Sequence, residues 1–188
     1  MTQAKFRGRG ELDFYGDPDM MMVLGPLAMH CFQPVLLEDQ LKKEAFFLLS
    51  YAAGCRHCQA HGGYGLYVDG VDEARIRALW TFEASGDFTD AERAVYRFCV
   101  AAGQAPSAVT ADHYVELREH YSDPQIKELL KMVAISGFLN RYSDALAVVT
   151  DQESFDWAEA ALGPVGWDGD RHRGTEDEQR AEFPHIKH

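Results

Sequence analysis

A chain of 188 residues, 46% hydrophobic and 26% charged, has the balance of one globular domain with its own core and leaves no room for a second catalytic domain. Its formal net charge of −12 opposes a phosphate-binding face or attachment to an anionic membrane, so the expected partners are small molecules or proteins and not nucleic acid. No run of about 18 apolar residues offers a membrane span, and the opening MTQAKFRGRGELDF lacks the apolar core of a secretory signal, so the expected location is the cytoplasm.

In chain order, the punctuation is that of helices joined by short turns, with no alternating run long enough for a strand. Met20 to Leu24 and Leu27 to Leu37 read as short apolar pieces broken by Gly25, Pro26 and Pro34. From Glu38 the pattern lengthens: Leu41, Ala45, Leu48, Leu49 and Ala52 recur at helical steps, and Gly54 stands where a helix ends. Asp72 opens the next segment, and Thr89 with Glu92 forms a capping box for a helix carrying Val95, Phe98 and Cys99. Thr110 caps another. Asp123 and Pro124 begin the longest helix, which runs past Ile126, Leu129, Leu130, Val133 and Gly137 to Tyr142. A last helix spans Phe155 to Leu162. The expected domain is residues 1–163, all-α, followed by a Gly- and charge-rich tail over 164–188 that is mobile or ordered only against another subunit.

Four cysteines do not make a disulfide scaffold in a chain with a core of this size. Cys31 and Cys99 stand alone in apolar surroundings, as buried thiols do. Cys55 and Cys58 belong to a motif, CRHCQAH, just past the Gly54 break. At about 100° per residue, Cys55, His57, Cys58 and His61 fall on one side of a helix. A helix N-terminus stabilises a thiolate and can bring a cysteine pKa down from about 8.5 to between about 3.5 and 7.5. The spacing suits a nucleophile, a second thiol able to close a disulfide with it, and His61 as a base one turn beyond Cys58. Arg56 adds a positive charge beside both thiols. Two cysteines and two histidines are also zinc ligand types, but four ligands spread over one helix cannot all reach one ion. The motif follows no predicted strand, which separates it from the thioredoxin setting.

The segment LKKEAFFLLSYAAGCRHCQAHGGYGL resembles the signature of the carboxymuconolactone decarboxylase and alkylhydroperoxidase D superfamily. FTDAERAVYRF and GFLNRYSDAL extend the likeness, so that it covers roughly residues 25–150. The resemblance implies a compact all-helical bundle assembled as a homotrimer or homohexamer. It implies a thiol-dependent peroxidase or disulfide oxidoreductase that reduces hydroperoxides and is reset by an external thiol or dithiol protein. By position, Cys58 matches the attacking cysteine, Cys55 the resolving one, His57 the histidine between them and His61 the proton-relaying histidine that follows. Two positions depart from the family pattern. Its last histidine stands four residues after the second cysteine, where this chain has Gly62, and its relay glutamate stands twelve before the first, where this chain has Lys43. Glu44, eleven before, is the expected relay acid.

No glycine-rich dinucleotide fingerprint follows a strand, so no bound cofactor is implied, and no metal is expected. Arg141 and Asp144, three apart on the longest helix, are expected to pair, and His172, His185 and His188 read as polar tail. Two other functions stay open: a metal-binding or scaffold helical protein, and a cysteine-independent decarboxylase-like enzyme of the same superfamily.

Overall fold

Helix starts coincide with the residues that can cap them. The structure, a computed structural model, describes residues 17–174, and every regular element among them is helical. The side chain of Asp17 accepts from the amides of Asp19 and Met20 to open α1 (Pro18–Phe32). Next come α2 (Asp39–Ala53), ended by Gly54 in the left-handed region at φ 78°, and α3 (Arg56–Val68). Asp72 caps α4 (Glu73–Ala78), and Thr89 and Glu92 close a reciprocal capping box on α5 (Asp90–Ala102). Thr110 and His113 form a second box for α6 (Ala111–His120), Ser122 and Gln125 a third for α7 (Asp123–Ala145), and Asp151 caps α8 (Gln152–Leu162).

Helix α2 is the hub, packing against α3, α5 and α7, while α8 covers α3 and α1 lies on α7. Phe47, Leu48 and Leu49 of α2 meet Phe98 of α5 and Leu129 and Met132 of α7 in one cluster. Fully burying each such side chain is worth about 1.5–3 kcal/mol. A buried ion pair ties the far end: Lys42 Nζ donates to Glu128 Oε1 at 2.9 Å and to the carbonyl of Gln33 at 2.6 Å. Glu128 also accepts from the amides of Val35 and Leu36, fastening the α1–α2 loop to α7. Burial works against the Glu128 charge, but Lys42 and these amides hold its carboxyl below the usual range. Where α3 meets α8 the approach is close enough to demand glycine, since a Cβ on Gly63 would lie 2.5 Å from the Trp157 ring.

Two expectations are corrected. The N-terminal apolar segment is one helix, α1, running unbroken through Gly25 and Pro26. A proline removes one intrahelical hydrogen bond, and here the flanking turns are held by burial of Leu24 and Cys31 against Ile135. The tail is the other. Residues 164–174 pack on the body of their own chain, with Trp167 and His172 buried; residues 175–188, with His185 and His188, and residues 1–16 lie outside the described residues. No helix among the described residues is long and apolar enough to cross a membrane.

Candidate active site

Cys55 is the N-cap of α3, and its sulfur accepts a hydrogen bond from the Cys58 amide at 3.4 Å. Gly54 makes this possible, because its left-handed turn brings the chain out of α2 and directly into α3. Both thiols are free and buried. They differ in where they face: Cys55 is 0% exposed, whereas Cys58, 4% exposed, lines a cavity of about 430 Å³. That cavity is walled by Phe46 of α2, His57 and His61 of α3, Leu139 and Ser143 of α7, and Val148 and Asp151 from the α7–α8 segment.

The Cys58 thiol sits well above the ordinary cysteine value. Its hydrogen bond with Cys55 is the chief cause, followed by burial and the negative charge that Cys55 can carry. The Ser143 hydroxyl works the other way and favours the thiolate. It is buried and has no hydrogen-bond partner among the described residues. The sequence expectation of a thiolate stabilised by the helix N-terminus thus meets a finer geometry, in which the amide is directed at Cys55 and the Cys58 thiol is favoured in its protonated form.

Bases are at hand. The His57 and His61 rings stand 4.4 Å apart, centroid to centroid. His61 Nε2 lies 3.0 Å from Asp151 Oδ2, and His57 Nδ1 lies 3.0 Å from Thr150 Oγ1. Gly62, next to His61, has little room for a side chain. A Cβ at 62 would come within 3.1 Å of the Phe46 ring, which forms the cavity wall.

Glu44 is not part of this cavity. Its carboxylate, 1% exposed, accepts from Arg75 Nε at 2.8 Å, from Gln40 Nε2 at 2.9 Å and from the Tyr96 hydroxyl. With Arg75 and Glu92 it borders a different pocket at the α2 N-terminus. Lys43, at the family's relay position, pairs with Asp39 and Asp69. Arg56 donates to Gln59 Oε1 at 2.9 Å. Asp144 faces Arg171 at 3.5 Å in place of the expected Arg141.

The sequence matches no protein-family model and no curated protein. Solved structures do match. The debrominase Bmp8, as a cysteine-to-alanine variant in complex with 2,3,4-tribromopyrrole, aligns with a TM-score of 0.72 at 26% identity, covering 84% of this chain and 82% of that one. An Agrobacterium tumefaciens protein of unknown function bearing the name AhpD gives 0.69 at 20% identity over 76% of this chain and 99% of that chain. The alkylhydroperoxidase AhpD core of a peroxidase-related protein from Ralstonia eutropha gives 0.67 at 18% identity, over 77% of each.

The chain has the alkylhydroperoxidase D-like fold.

Within the alkylhydroperoxidase D-like fold, the cavity draws on residues far from the CxxC in the sequence. Ser143, Val148 and Asp151 come from the end of α7 and the segment after it, about 90 residues beyond the CxxC, and Thr150 of the same segment meets His57. His172 comes from later still. Its ring lies 5.7 Å from His57, though its sequence surroundings read as polar tail. Among the described residues, no three of His, Cys, Asp or Glu converge as metal ligands would.

Proposed function

We propose that this protein is a thiol-dependent oxidoreductase that reduces hydroperoxides, with Cys58 attacking and Cys55 resolving. The observation that carries the reading is the asymmetry of the pair: Cys58 opens to a cavity flanked by two histidines, while Cys55 lies behind it as the N-cap. An incoming hydroperoxide meets Cys58, whose proton passes to the His57–His61 pair. The thiolate attacks the terminal peroxide oxygen, the O–O bond breaks, Cys58 becomes a sulfenic acid and the alkoxide leaves as the alcohol after taking a proton. Cys55 then condenses with the sulfenic acid, expelling water and leaving a Cys55–Cys58 disulfide. An external thiol or dithiol attacks the accessible Cys58 sulfur, releasing Cys55 and forming a mixed disulfide; a second thiol of the reductant then frees Cys58, and the reductant leaves as its own disulfide. Cys55 suits the leaving role, since the Cys58 amide supports negative charge on its sulfur.

Similarity to Bmp8 supports a second reading, reductive removal of bromide from a small aromatic ring. The apolar wall of Phe46, Leu139 and Val148 suits such a ring. In that case the arene gains hydrogen, bromide leaves, and the same two thiols become the disulfide.

The test is mass spectrometry of the reduced protein after one equivalent of cumene hydroperoxide or of a bromopyrrole. Peroxidase activity requires a Cys55–Cys58 disulfide with the first reagent, with Cys31 and Cys99 still reduced. Disulfide and free bromide with the second reagent alone would move the assignment to dehalogenation. Full hydroperoxide reduction by Cys58→Ser would remove the thiol mechanism altogether.

A further inference from the structure

His172 is fully buried, and two of its polar contacts reach the 148–150 segment, in which Val148 lines the thiol cavity. Its Nδ1 lies 2.8 Å from the carbonyl of Val148, which can only accept, so Nδ1 carries the hydrogen. Its own carbonyl accepts from the Thr150 amide at 2.9 Å. Thr150 in turn meets His57 Nδ1 through its hydroxyl, and the His57 and His172 rings lie side by side. The segment carrying His172 also reaches the start of α3, where Trp167 Nε1 donates to the carbonyl of Arg56, between Cys55 and His57. Nε2 of His172 makes no hydrogen bond among the described residues and stands 3.7 Å from Asp144 Oδ1.

We propose that His172 is a positioning residue for the Cys58 site, holding Val148 and Thr150 in place and, through the Thr150 hydroxyl, orienting the His57 imidazole beside Cys58. The inference rests on the reading of Cys58 as the reactive thiol and adds a residue from outside the region of family likeness. A side chain that only filled space would need no donor at Nδ1. A positioning residue needs that donor, because the Val148 carbonyl is otherwise left without its partner and the 148–150 segment loses its anchor.

Two substitutions separate these roles. His172→Asn keeps an N–H donor near the place of Nδ1 but loses the ring, whereas His172→Leu keeps apolar bulk but loses the donor. The readout is the rate of Cys58 alkylation by iodoacetamide, followed on the Cys58 peptide at fixed pH in protein with native circular dichroism. The Leu variant should react about tenfold or more slowly, by analogy with other groups that orient a reactive side chain. The Asn variant should stay within about twofold of the parent. A Leu variant at the parental rate, or an Asn variant as slow as Leu, would overturn the assignment. Thr150→Val provides the same decision should Leu prevent folding: it keeps the amide that His172 accepts from and removes the hydroxyl that meets His57. It must slow alkylation, and an unchanged rate overturns the proposal. Because alkylation needs no peroxide, a protein that forms no disulfide with hydroperoxide would sink the redox reading while leaving this comparison decisive.

Discussion

The Cys58 amide donates to the Cys55 sulfur over 3.4 Å, so the two thiols share one helix N-terminus unequally. The N-cap position supports charge on Cys55, and the cavity gives access to Cys58. In the proposed thiol mechanism, this division gives the accessible sulfur the attack and the supported one the departure when the disulfide is opened.

The division has a consequence for pH. Cys58 is held well above 9.0 first by its hydrogen bond with Cys55, then by burial and by the charge on Cys55. At neutral pH the protonated form of Cys58 therefore predominates in the reduced pair, and its alkylation should speed up as the pH rises. Cys55→Ala removes the first and third causes and leaves burial. The midpoint of Cys58 alkylation against pH should move down. An unchanged midpoint would mean that the two sulfurs do not interact.

Glu44 should prove structural. Its carboxylate is buried against Arg75, Tyr96 and Gln40, and burial together with Glu44 holds the Tyr96 hydroxyl far above its ordinary value. Glu44→Gln should cost about 2–3 kcal/mol in urea unfolding, less than the roughly 3–5 of a fully buried pair, because Arg75 reaches solvent and keeps Glu92. The rate of hydroperoxide-driven disulfide formation should stay within about twofold. The opposite result, unchanged stability with a large loss of rate, would restore Glu44 to the proton relay.

Gly63→Ala should destabilise the protein by about 1–3 kcal/mol through overpacking, since its Cβ would enter the Trp157 ring where α3 crosses α8. Thermal denaturation measures it. A neutral effect would show that the two helices can move apart freely.

His172 should also leave a mark on stability. Burial holds it below its ordinary value of 6.5, partly offset by the Val148 carbonyl and Asp144 and reinforced by Arg171. Folding therefore favours the neutral ring. As pH falls through 6.5 toward the lower folded value, the unfolded chain takes up the proton first, and stability present above that window is lost. His172→Asn should lose less stability than the parent between about pH 7 and pH 5 by urea unfolding. Equal losses would mean that His172 titrates alike in both states.

Much of this fold is written in short-range chemistry. Gly54 ends α2, Thr89 and Glu92 open α5, and Ser122 and Asp123 precede the longest helix, each acting on amides within one turn. The same local logic places Cys55 and Cys58 at a helix start, with His57 and His61 one turn apart. It fails at Pro26, where packing on α7 carries the helix through a residue that normally ends one. It fails again at Glu44, because the spacing to the cysteines cannot say that Arg75 and Tyr96 will claim its carboxylate.

By itself the sequence determined an all-helical chain with a cysteine pair at the mouth of α3, because caps and periodicity act along the backbone. Only the tertiary structure decided what surrounds that pair. His57 meets Thr150 across 93 positions, and His172 reaches Val148 across 24. Such contacts depend on how α7, α8 and the following segment pack on α3; the hydrogen bond to Cys55 together with burial then holds the Cys58 thiol high, and burial holds His172 low.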